Sequence, residues 1–114
     1  MFGDDYYLEM QRHETHDPLA DQTTFPKQQE VNKVLIELAR KHGVKLIATN
    51  DVHFANEEDA EAHDRLICLS TGKDLDDPDR MRYSKQEWMK TTAQMNQIFA
   101  DIPEALDNTL EIAN

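Results

Sequence analysis

Asp51 and His53 stand two residues apart at the end of the apolar run Ala48-Thr49-Asn50-Asp51-Val52-His53-Phe54, a spacing that suits a metal ligand pair. Residues i and i+2 of a strand point to the same side, so a carboxylate and an imidazole would be presented together at the strand's C-terminal edge. In barrel-like α/β folds the chemistry gathers at that edge. His13 is a third candidate, because adjacent parallel strands of a βαβ unit bring their C-terminal ends side by side. Mixed imidazole and carboxylate sets suit Zn²⁺, Mn²⁺ or Fe²⁺, and carboxylate also accepts harder ions. A metal held this way could polarise a phosphate oxygen and lower the pKa of a bound water. Local readings stand beside this one. Asp51 could cap a turn with His53 packed in the loop, and His13 could be a hydrogen-bonded surface group.

The elements that must position these residues follow from periodicity and breakers. Residues 5 to 13 alternate Tyr6, Leu8 and Met10 with Tyr7, Glu9, Gln11 and His13, which predicts a strand. Its polar side fits either the lining of a polar cavity or an exposed edge. Residues 14 to 25 form a loop rich in Thr, Asp and Pro, and Pro26 falls near the first turn of a helix over 27–42. That helix carries Val31, Val34, Leu35, Leu38 and Ala39 on one face and ends at Gly43. Val44 to Asn50 then reads as a strand covered on both faces, giving a βαβ unit. Asn56 with the acids Glu57, Glu58 and Asp59 starts a second helix running to about Ser70, with Gly72 ending it. A turn-rich loop spans residues 73 to 82, and a short extended piece lies around Trp88 to Lys90. Thr91 and Gln94 have capping-box spacing ahead of a third helix, and Pro103 opens a last one through Leu106, Leu110 and Ile112.

The remaining chemistry-bearing residues have simpler explanations. His63 shares a helical face with Ala60, Leu66 and Ile67 and reads as a partly buried histidine rather than a ligand. His42 sits at a helix C-terminus, where the dipole favours it, and His16 lies in the loop. Trp88, Met89, Met95 and Phe99 are expected in the core, Cys68 as a small buried apolar residue, and Glu57, Glu58, Asp59 and Glu61 on a solvated face. The chain has 114 residues, 12 Lys+Arg against 23 Asp+Glu, a formal charge of -11 and 39% hydrophobic residues, enough for one small packed domain. That acidity argues against a direct grip on nucleic acid, which needs clustered cations. One cysteine suits a reducing compartment, and no apolar run reaches the ~20 residues needed to cross a bilayer, so a cytoplasmic location is expected.

Four segments in order carry a resemblance: Phe2-Gly3-Asp4-Asp5-Tyr6-Tyr7-Leu8-Glu9-Met10-Gln11-Arg12-His13, then Ala48 to Phe54, then Glu58-Asp59-Ala60-Glu61-Ala62-His63-Asp64, then Thr71-Gly72-Lys73-Asp74-Leu75-Asp76-Asp77-Pro78. With Ile102 to Thr109 they resemble the bacterial replicative DNA polymerase III alpha subunits, and more narrowly the C-terminal half of their PHP (polymerase and histidinol phosphatase) domain. The resemblance implies an α/β fold, a partial (β/α) barrel of PHP type with a βαβ unit followed by helices, residues 1–114 forming one structural unit. It implies a multinuclear site for divalent metal (Zn, Mn or Fe, with Mg admissible) that in some members supports 3′ to 5′ exonuclease or phosphoesterase activity. His13 matches the histidine after the Leu-Glu-x-Gln-x strand, and Asp51 and His53 match the late Asp-x-His motif. These three are the implied metal ligands, with no catalytic residue assigned beside them. The early His-x-His motif and other ligands of the family lie outside the chain, and residues 14 to 25 look longer than the family's loop. The expectation is therefore a fragment of a larger DNA polymerase, inactive alone. Its implied partners are the rest of the polymerase chain, other replisome subunits, and DNA through the parent protein only, with no membrane. A structural scaffold for replisome subunits and a stand-alone metallo-phosphoesterase are the alternatives.

Overall fold

The expected strand-helix-strand unit forms, in the computed structural model that describes residues 2–114. Strand β1 (Tyr7–Gln11) and strand β2 (Lys45–Thr49) pair in parallel, with Tyr7 opposite Lys45 and Gln11 opposite Thr49. Helix α1 (Thr24–His42) connects them. Both strands are shorter than their patterns predicted: Gly3–Asp5 forms a 3-10 turn, and His13 and Asn50 lie beyond the ladder. Gly43 ends α1 at φ +63°, a left-handed conformation that costs glycine little. Arg40, Lys41 and His42 occupy its last turn, where the helix dipole favours positive charge.

Helix α2 (Ala60–Thr71) follows a 3-10 turn, Glu57–Asp59, at which the Asn56 backbone N–H donates to the Asp59 carboxylate (3.1 Å). It stops at Gly72, φ +70°. Helix α3 (Thr92–Ile98) has the predicted capping box: Gln94 N–H donates to Thr91 Oγ1 (3.2 Å) and Thr91 N–H to Gln94 Oε1 (2.8 Å). Helix α4 (Pro103–Ala113) begins on its proline. Among the described residues no helix is long and apolar enough to cross a membrane.

Two compact units result. The first comprises the described residues up to Arg12 together with Pro26–Thr49 and Lys90–Asn114. Its core is Met10, Ala39, Leu46, Ala48, Phe99, Ile102 and Ala105. Arg12 joins the strand end to the helices: its guanidinium forms a two-pronged bond to Asp101 (2.5 and 2.9 Å), donates to the Ile98 carbonyl (3.0 Å) and lies 5.1 Å from the centre of the Phe99 ring. Buried Asn32 ties α1 to β1 by donating Nδ2–H to the Gln11 carbonyl (2.9 Å).

Part of the predicted α1 face is corrected. Ala39 is buried and Leu35 packs against the core, but Val31, Val34 and Leu38 are exposed. Two strands offer too narrow a surface to cover a wide helical stripe, so only the strip through Asn32, Leu35, Ile36 and Ala39 is covered. Met89, expected in the core, is 65% exposed.

The second unit comprises His13–Phe25 and Asn50–Met89. One anchor is the ion pair of Arg80 with Asp64, two bonds of 2.6 and 2.9 Å with side chains 5% and 14% exposed, which fastens the 73–82 loop to α2. The Arg80 bonds hold the Asp64 carboxyl below the usual carboxylate range, against an opposing effect of burial. A carboxyl depressed in the folded state contributes stability above its unfolded pKa of about 3.9, and that contribution is lost as pH falls through the lower folded value. Asp64→Asn is expected to cost about 1.5–3 kcal/mol at pH 7 in urea unfolding. The difference from wild type should shrink only below about pH 4, and a pH-independent difference would show that the charge is not responsible.

Candidate metal-ligand turn

The segments leaving the two strands meet at Asn50. His13 is buried, and its Nε2 lies 3.0 Å from the Asn50 carbonyl oxygen. A carbonyl has no proton to give, so His13 Nε2–H is the donor and the lone pair of the neutral ring falls on Nδ1. His13 therefore reaches the backbone of the residue before Asp51, with a buried ring in place of the surface group of the local reading.

Asp51 and His53 do not lie on the strand. β2 ends at Thr49, and Asp51 adopts φ +47°, a left-handed conformation that aspartate tolerates better than most residues. The chain therefore turns before His53, and the alternation that would set the two side chains on one strand face does not apply. The turn makes a different juxtaposition: His53 Nδ1–H donates to the Asp51 carbonyl at 2.6 Å. This bond selects the tautomer whose lone pair is on Nε2, and the His53 side chain is exposed. Asp51 is exposed as well.

The turn is held from the other side by the segment 84–89. The Glu87 carbonyl accepts the backbone N–H groups of His53 (2.8 Å) and Phe54 (3.3 Å), and Met89 N–H donates to the Phe54 carbonyl (3.2 Å). Glu87 is itself fixed by Ser84, whose Oγ–H donates to its Oε1 at 2.5 Å, both side chains being buried. Among the described residues, Glu87 Oε2 and Asn50 Oδ1 are buried acceptors without a hydrogen-bond partner.

A ring cluster flanks the candidate ligand. His53 is 5.5 Å from His63 and 5.1 Å from Tyr83, centre to centre, and His63 is 5.0 Å from both Phe54 and Tyr83. Burial lowers the pKa of His63, and a charge on His53 would lower it further, while Glu87 acts in the opposite direction. His63 is half-buried, as its helical position suggested. Its contact with His53 could not be read from spacing, since ten residues and a turn separate them. Tyr83, Glu87 and Asn50 were not singled out; only Asn50, inside the Asp-x-His run, lay where a local signal could have found it.

Nitrogen and oxygen donors of this kind fit a borderline divalent metal. Among the described residues no three or more His, Cys, Asp or Glu side chains are gathered into a group that could hold one by themselves.

No family model matches the chain. Curated relatives align with it end to end. It is 43% identical over 114 residues to DNA polymerase III subunit alpha of Campylobacter jejuni, covering 99% of this chain and 9% of that protein. The same-named subunit of Caulobacter vibrioides is 41% identical over 113 residues, and that of Thermus aquaticus 40% over 120, each again with 99% of this chain and 9% of the relative covered. The chain thus spans about 9% of the length of the curated relatives it matches.

Proposed function

We propose that this chain is a segment of a bacterial DNA polymerase III alpha subunit, the later half of its PHP domain, and that it supplies His13, Asp51 and His53 to a divalent-metal site completed by the rest of the polymerase chain. The observation that carries this reading is the Asp51–His53 turn, where one ring nitrogen is committed to a backbone carbonyl 2.6 Å away and the other keeps its lone pair on an exposed side chain. Metal-ligating histidines use their second nitrogen in this way. The end-to-end similarity to the alpha subunits supports the assignment of the parent chain, and the order of the motifs supports the partial-barrel architecture.

When bound, a Zn²⁺, Mn²⁺ or Fe²⁺ ion would polarise a phosphate oxygen and acidify a bound water, the chemistry of a 3′ to 5′ exonuclease or phosphoesterase. The chain's own residues do something narrower. Asp51 and His53 offer a carboxylate and an imidazole nitrogen from one turn, His13 offers a second imidazole from the neighbouring segment, and Glu87 holds the turn through its carbonyl. Nucleotide transfer belongs to the parent polymerase, in a separate domain with its own metal-binding carboxylates. DNA reaches this segment through the parent chain, consistent with a formal charge of -11 here. Other replisome subunits are the remaining partners.

The test is elemental analysis of the full-length subunit, together with 3′ trimming of single-stranded DNA with and without a chelator. Bound divalent metal lost on Asp51→Ala supports the ligand role, and metal retained at wild-type levels in that variant overturns it. Bound metal without trimming would assign the segment to scaffolding rather than catalysis.

A further inference from the structure

Asn50 is a buried residue, 7% exposed, that bonds His13 and immediately precedes the turn carrying Asp51 and His53. Its backbone carbonyl receives His13 Nε2–H at 3.0 Å. Its side-chain Nδ2 donates to two carbonyl oxygens, those of Gln86 (2.9 Å) and Trp88 (2.8 Å). The next residue is Asp51, whose φ of +47° starts the turn. We infer that Asn50 is the positioning residue of this site: one asparagine sets His13, the Asp51–His53 turn and the 86–88 segment in a common frame. The inference deepens the metal-site reading and rests on it for its consequence, but the frame exists without metal.

The orientation of the carboxamide is determined by chemistry. Both neighbours of Nδ2 are carbonyl oxygens, which only accept, so the NH₂ group must face them; an inverted amide would set three acceptors together. Oδ1, buried and without a partner among the described residues, contributes nothing to the orientation. The two donors therefore hold the 86–88 backbone against residue 50. Between those two accepting residues lies Glu87, whose carbonyl receives the His53 and Phe54 N–H groups. Alanine at position 50 removes both bonds, leaves two carbonyls without their donor and frees the segment that clasps the turn. Aspartate, of the same shape, places an acceptor against two acceptors.

Asn32 provides the matched control. It is similarly buried (4% exposed) and also donates Nδ2–H to a backbone carbonyl, that of Gln11 in β1 at 2.9 Å. The experiment titrates Mn²⁺ into the full-length subunit and, separately, follows amide hydrogen exchange at His53 and Phe54 in metal-free protein. Asn50→Ala is expected to weaken Mn²⁺ binding by about 10–100-fold, the usual effect of removing an outer-shell partner, while Asn32→Ala leaves affinity unchanged. Exchange at the two amides should rise by at least about tenfold in Asn50→Ala and stay at the wild-type rate in Asn32→Ala. Should Asn50→Ala fail to fold, Asn50→Ser, whose hydroxyl can replace one of the two donors, is read the same way and should show a smaller loss. Wild-type exchange and wild-type Mn²⁺ affinity in a folded Asn50 variant overturn the inference, as does an equal loss in Asn32→Ala. If wild-type protein takes up no Mn²⁺, the metal-site reading fails, and the exchange measurement alone decides the positioning role.

Discussion

His53→Ala in the full-length polymerase subunit is expected to weaken Mn²⁺ binding at this site by at least roughly 100-fold, since loss of outer-shell partners alone costs about 10–100-fold. Any metal-dependent 3′ trimming should fall with it. The cause is the loss of a preset donor: the bond from Nδ1–H to the Asp51 carbonyl holds the ring with Nε2 as its lone-pair nitrogen. A replacement histidine elsewhere on the turn would lack that tautomeric preference. His63→Ala is the informative comparison, because its ring lies 5.5 Å from His53 and half-buried among Phe54 and Tyr83. It should disturb packing and change affinity by less than about tenfold. The opposite ranking, with His63 essential and His53 dispensable, would move the ligand role to the helix and reject the Asp-x-His turn.

Phe99→Ala is expected to produce the largest loss of stability, about 3–5 kcal/mol in urea unfolding. Phe99 is fully buried among Met10, Leu46, Ile102 and Ala105, so truncation removes a ring from a packed core and leaves a cavity. The Arg12 guanidinium over its face would lose that contact as well. Such a loss is a large fraction of the roughly 5–15 kcal/mol that keeps a typical domain folded. Leu110→Ala, at a site 66% exposed on the last helix, should cost under about 1 kcal/mol although its sequence pattern resembles that of a core position. Equal losses for the two variants would show that the core lies elsewhere.

The order of elements, the parallel βαβ pairing and the helix ends at Gly43, Gly72, Thr91 and Pro103 were legible in the sequence. Each is decided by residues within a few positions of one another: a left-handed glycine, a hydroxyl three residues from its amide, a proline where no donor is needed. The meeting of His13 with the segment that follows β2 was legible too, because parallel neighbours must end together. Tertiary structure decided the rest. It ended β2 at Thr49 and put Asp51 into a left-handed turn, so the two candidate ligands are related by a backbone hydrogen bond in place of a shared strand face. It left Val31, Val34 and Leu38 exposed, because how much of an apolar stripe is buried depends on the width of the sheet beneath it. It also made Asn50 the hub, through partners 36 to 38 residues away in sequence. Periodicity reports neighbours along one helix or strand, and bonds that span such separations exist only once the chain has packed.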